Sequence, residues 1–178
     1  MASGCASALL LALLHQSSVK YLDLVVDGDT ISATLTVAPS DLTEPLGLPA
    51  DAKPTAAAAS TPAAARYTRD WVAIADCTPA DESAAPDLDG RFVAVRWQLR
   101  CHGNPDELDV DLGRFFAVDP RHEAIVRVAG EAPFVARATS PRWVIPVGDD
   151  APGRGSWWLV AAGVVAVAGV GFVLSRRR

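Results

Sequence analysis

Three histidines and three cysteines carry the sharpest chemistry in this chain of 178 residues. His15, His102 and His122 each offer an imidazole, a ligand suited to nickel, cobalt or copper. If processing left His15 at a mature N-terminus, its α-amine and ring would chelate such an ion together. His102 follows Cys101 in the turn-like run CHGNPDE and His122 stands in DPRHE, so spacing alone joins no two of them. Cys77 and Cys101 end two segments that read as strands, WVAIADC and RFVAVRWQLRC. They are expected to form a disulfide, because the domain is expected to be exported to a compartment where such a bond persists. No CxxC occurs, which removes the basis for a zinc ribbon or a thioredoxin-type site. The acidic residues Asp106, Glu107, Asp109 and Asp111 read as a solvated face. G-x-S-x-G, HExxH and P-loop motifs are missing, and the loose trio Asp119, His122 and Ser140 has no specificity. The sequence therefore predicts neither an enzyme nor a resident cofactor, with a transition metal as the alternative.

The elements that must position these residues are mostly strands. YLDLVVDGDTISATLTV, residues 21–37, gives two strand-like runs around Asp27-Gly28-Asp29, a hairpin signal. Leu22, Leu24 and Val26 share one face, and Ile31, Ala33, Leu35 and Val37 alternate with polar residues. Residues 41–48 suit one helical turn capped by Ser40 or Asp41. Residues 49–66, with three prolines and many alanines, read as a surface loop or broken helix that buries little. Beyond them Val93, Val95, Trp97, Leu99 and Cys101 face one way and Arg96, Gln98 and Arg100 the other. Short alternating runs follow at 108–112, 124–128, 133–138 and 143–147. Seven or eight strands at this spacing predict a mainly β fold, an antiparallel β-sandwich of Ig-like general architecture. The aromatic residues Trp71, Trp97, Phe115, Phe116 and Trp143 read as core.

The two ends carry another message. Residues 157–174, WWLVAAGVVAVAGVGFVL, are uncharged and would cover about 27 Å as a helix, close to the roughly 30 Å of a hydrocarbon core. Trp157 and Trp158 suit the outer interface, and Arg176, Arg177 and Arg178 suit the cytoplasmic side. This predicts a single-pass anchor in a bacterial cell membrane with the preceding domain outside; scarce lysine with abundant alanine and proline points to a GC-rich bacterial genome. Small residues such as Ala162, Ala166 and Gly163 permit close pairing of this helix with itself or with a polytopic membrane partner. The expected organisation is a signal-peptide-like segment at 1–14, an extracytoplasmic domain at 15–147, a stalk at 148–156, the helix at 157–174 and a basic end at 175–178. The chain's net charge is −5 with the three terminal arginines included, so the exported part is more acidic still and unsuited to nucleic acid.

Several blocks in order, SSVKYLDLVVDGDTISATLTVAPSDLTEPLGL from Ser17, the two cysteines, then FFAVDPRHEAIVRV from Phe115, resemble the extracytoplasmic N-terminal region of HupE/UreJ-like bacterial membrane proteins. The resemblance covers residues 15–128. It implies an extracytoplasmic β domain working beside a polytopic region tied to nickel or cobalt uptake, but no such region and no GxDHxxF-type motif is present here, so transport does not carry over. The expected function is that of a membrane-anchored extracytoplasmic binding or accessory module. The alternatives are a periplasmic nickel, cobalt or copper accessory protein, and a surface protein whose C-terminal tail is a processed sorting signal.

Overall fold

The computed structural model describes residues 19–147. The signal-like segment, His15, and the stalk and helix with Trp157, Trp158 and Arg176 to Arg178 lie outside the described residues. Among the described residues no helix is long and apolar enough to cross a membrane.

Two strands open the domain. β1 (Val19–Asp27) and β2 (Thr30–Val37) pair antiparallel across Gly28-Asp29. Gly28 takes φ +58°, the conformation that a two-residue hairpin turn demands and that a side chain resists. The predicted faces hold. Leu22, Leu24, Ile31, Ala33, Leu35 and Val37 are buried, each large aliphatic side chain contributing about 1.5–3 kcal/mol relative to exposure. A short 3-10 turn (Pro39–Leu42) follows, where the Asp41 carboxylate accepts the Ala38 N–H at 3.2 Å.

Residues 49–66 do more than expected. They form most of two helices, α1 (Ala56–Ala59) and α2 (Pro62–Arg69), which bury Ala56, Ala59, Ala64, Ala65 and Thr68. Thr55 and Thr61 cap them by accepting the Ala58 and Ala64 N–H groups. Pro62 stands at the first helical position, where its missing N–H costs nothing, so it starts a helix and does not break one.

The run WVAIADC, expected to be one strand, is divided. β3 (Ala73–Ile74) is followed by a turn at Ala75 and Asp76, the latter with φ +58°, and Cys77 opens β4 (Cys77–Pro86). β4 forms a largely exposed edge, so it never needed the apolar alternation that betrays a strand. β5 (Val93–Cys101), β6 (Glu107–Asp111), α3 (Gly113–Val118), β7 (Glu123–Val128), β8 (Phe134–Ala136) and β9 (Arg142–Pro146) complete the chain.

The strands form a six-stranded sheet, β4-β5-β2-β1-β7-β8, and a three-stranded sheet, β3-β6-β9, whose apolar faces share one core. The fold is mainly β, but the larger sheet is mixed and not wholly antiparallel. β1 and β7 run parallel, Val19 opposite Glu123 and Leu24 opposite Val128. The cause lies in α3, which buries Phe115 and Phe116 and returns the chain to the N-terminal end of β1. Strand periodicity reports which face is buried, not which way a neighbour runs.

Cys77 and Cys101 stand directly opposite each other on β4 and β5, their Cα atoms 3.9 Å apart, joined as a disulfide. The bond closes a sequence separation of 24 residues. Replacing both cysteines with alanine should lower stability by about 3 kcal/mol. In urea denaturation the midpoint should fall well below that of the oxidised protein; equal midpoints would show that the bond contributes nothing.

Candidate functional site

A lysine with no exposed surface lies at the start of β1. Lys20 falls in phase with Leu22 and Leu24, so strand geometry aims it into the core. Its ammonium is 3.3 Å from the Asp41 carboxylate and 5.6 Å from the centre of the Phe115 ring. Burial pushes the amine below its usual 10.5, with Asp41 opposing the shift.

The parallel pairing of β1 and β7 brings the turn before β7 to the same place, since Lys20 is opposite Ala124. His122 stacks on Phe115 with ring centres 5.4 Å apart, and its Nε2 is 3.6 Å from the Asp119 carboxylate. Arg121 binds Asp119 through Nε at 3.0 Å and Nη2 at 2.8 Å, which holds that carboxyl well below the usual range. Burial, then the neighbouring Lys20 charge, lowers His122 below 6.5, against the opposing pull of Asp41 and Asp119. Its Nδ1 is buried with no hydrogen-bond partner among the described residues. An aromatic chain continues from Phe115 to Trp71 at 5.6 Å and to Tyr67 at 5.2 Å. Tyr67 donates to Glu44 at 2.5 Å, and burial with this carboxylate pushes its hydroxyl up to about 12.

A buried amine held below its ordinary pKa has the profile of a base or nucleophile. Lys20, however, exposes nothing to a substrate. Its ammonium instead faces Asp41 and Phe115 inside the domain.

His102 lies elsewhere. It is exposed in the turn after β5, beside the disulfide, in a small cleft with Asp76 and Glu107. β5 ends where β2 begins, next to the far end of β1, while His122 stands at the near end. At about 3.3 Å per strand residue the two histidines are roughly 25 Å apart along β1, too far to share an ion. Among the described residues no group of three or more His, Cys, Asp or Glu side chains could hold a metal ion. The acidic run is likewise engaged: Arg142 Nε donates to Asp109 at 2.7 Å, and Asp111 accepts the Gly113 N–H at 2.6 Å.

An accessible concavity opens on another side. A cleft of about 270 Å³ lies where the end of α2, β3, the start of α3 and the β4-β5 pair meet. Trp97 and Leu99 line it from β5, Ile74 from β3, Arg69 and Asp70 from the end of α2, and Arg114 from α3.

No family model matches the chain, and no curated protein matches it.

The sequence singles out His122 as a candidate metal ligand, whereas the structure sets it beside Phe115 and Asp119, and the sequence marks neither Lys20 nor Asp41 as members of a buried ion pair. The signal was present for Lys20, two residues before Leu22 on the buried face of an evident strand. Asp41 carried no such mark beyond a capping role.

Removing the Asp41 charge with Asp41→Asn should destabilise the fold by about 3 kcal/mol, since a buried charge loses a countercharge, and adding Lys20→Met should recover much of the loss. Full additivity of the two substitutions would exclude the coupling. The histidine gives a separate test. Its folded pKa lies below 6.5, so as pH falls from 6.5 the unfolded chain binds the proton first and stability drops. Urea midpoints measured from pH 7 to 5 should decline in the native protein, with a flatter profile in His122→Phe; identical slopes would remove His122 as the cause.

Proposed function

We propose that this chain is an extracytoplasmic binding or accessory module, held at a bacterial membrane by residues 157–174, and neither a transporter by itself nor an enzyme. The observation that carries the reading is the Cys77–Cys101 bond between directly paired strands, since structural disulfides belong to oxidising compartments. The apolar segment flanked by tryptophans and arginines supports it, with the basic end inside. The two sheets are read as faces of an Ig-like sandwich with one parallel pair. The likeness of residues 15–128 to the exported region of HupE/UreJ-like proteins favours a polytopic partner in the same membrane, and the small residues of the anchor helix suit its docking or self-pairing.

The metal-accessory reading has less support. His102 and His122 occupy opposite ends of β1, and the Lys20 ammonium lies close enough to His122 to repel a cation.

Reporter fusions to the full chain in a bacterial host test the proposal. Alkaline phosphatase placed after residue 147 should be active, and green fluorescent protein placed after residue 178 should fluoresce. Cys77 and Cys101 should resist maleimide until a reductant is added. A silent phosphatase with freely reactive thiols would place the domain inside the cell and sink the reading. Loss of the fluorescent tail from an intact, exported domain would replace the permanent anchor with a processed sorting tail.

A further inference from the structure

The edges of the two sheets are defended unequally. β4, the long edge of the larger sheet, carries Pro79, Pro86 and a bulge between Pro79 and Glu82, and the Arg69–Glu82 ion pair ties it to α2. Prolines, bulges and covering helices keep an edge from pairing with another chain. β3 has two residues and β8 three, which leaves little ladder to offer. β9 has five residues, an unbroken register with β6 and, among the described residues, no strand on its other side. Val144 at its centre is 58 % exposed.

Backbone hydrogen bonds fix which groups β9 presents. The Val147 N–H donates to the Asp106 carbonyl at 2.8 Å and the Leu112 N–H to the Pro141 carbonyl at 2.9 Å, so residues 141 and 147 turn their backbone toward β6. Successive residues of a strand alternate in this respect. Trp143 and Ile145 therefore face β6 with their backbone groups, while Arg142, Val144 and Pro146 face outward. The outward row offers the N–H groups of Arg142 and Val144, then Pro146, which has none. An antiparallel copy of the same edge fits this row best in one register. With Trp143 opposite Trp143, Arg142 of each copy lies opposite Val144 of the other, and four N–H···O=C bonds form with no donor missing. Pro146 falls just beyond the last bond. A register centred on Val144 would instead set Pro146 against Arg142, where its ring meets a carbonyl that needs a donor.

We infer that β9 is the contact through which two copies of this chain pair, joining their three-stranded sheets edge to edge with the half-buried Trp143 at the two-fold axis. The occupant follows from where the strand ends. Residues 148–156 join Val147 to the apolar segment 157–174, so on the anchored reading two copies present this edge beside one another at a single membrane. Four bonds are a small contact for molecules free in solution, but tethering to a shared surface raises the effective concentration that the contact works against. The inference names a partner for the proposed module; its membrane step rests on that reading, and the match of the two edges does not.

Cross-linking of the full chain tests the pairing, in a Cys5→Ser background so that the introduced thiol is the free one. In bacterial membranes Val144→Cys should give a dimer with a short bismaleimide, because the two positions become diagonal neighbours about 7–8 Å apart. Val25→Cys, 50 % exposed on the outer face of β1, should give none. Sedimentation of the detergent-solubilised chain supplies the second measurement. Val144→Lys sets an ammonium beside Arg142 of the second copy and should weaken the dimer by at least about tenfold, whereas Val144→Glu should hold it. Val144→Pro removes an outward N–H and leaves the bonds to β6 intact, so it should weaken the dimer as much while the urea midpoint stays near that of the native chain. No cross-link at residue 144, equal cross-linking at residues 25 and 144, or an undiminished dimer in both Val144→Lys and Val144→Pro would overturn the inference and leave any dimer to the apolar helix. The reporter fusions fail separately: a domain found inside the cell leaves the sedimentation result standing, and an unpaired β9 leaves the topology standing.

Discussion

Lys20 imposes the constraint on which one end of this fold depends. Taking an ammonium out of water costs several kcal/mol even after relaxation, so the chain must surround it with compensating groups. Those groups come from distant segments: Asp41 from the turn after β2, Phe115 from α3, and Asp119 acting from the turn that leads into β7. None of these segments is a long regular element. They share the same charge, the same ring or the same carboxylate. The Phe115 ring joins them to α2 as well, through Trp71 and Tyr67.

The parallel pairing of β1 and β7 turns this local need into architecture. Parallel strands bring like ends together, so the start of β1 and the turn before β7 form one polar corner. The opposite end of β1 is built differently. There the Gly28 turn, the Cys77–Cys101 bond and the Arg100–Asp29 pair at 3.0 Å close the sheet. That ion pair is largely exposed, and such pairs contribute little. The covalent bond is the stronger constraint at this end. One end is thus held by buried electrostatics and the other by a covalent link, with apolar strands between.

What the sequence disclosed follows from this physics. β2 and β5 were legible because each has one buried and one wetter face, which imposes alternation over Ile31 to Val37 and Val95 to Cys101. The Cys77–Cys101 pairing was also legible, since each cysteine closes a strand-like run. β4 was not, because an exposed edge strand has no face to bury. α1 and α2 were underrated because alanine is small: Ala56, Ala59, Ala64 and Ala65 allow close approach to the sheet, yet read as low-complexity filler. The mixed sheet was hidden because direction leaves no mark in alternation. Lys20 was overlooked because a charged side chain invites the assumption of exposure, although its register said otherwise.

The two polar features also divide by access, and that division bears on function. Catalysis needs a group of tuned pKa that touches its substrate. Two of the shifted groups, Lys20 and His122, belong to a corner whose amine is sealed from solvent. The open cleft has the reverse composition. Asp70 pairs with Arg69, the histidine content is nil, and Arg114 forms no ion pair among the described residues. A guanidinium can orient an acceptor but cannot relay a proton. The buried charge and the open cleft thus occupy different parts of the fold: Lys20 is sealed at the start of β1, while the cleft lies where α2, β3, α3 and the β4-β5 pair meet.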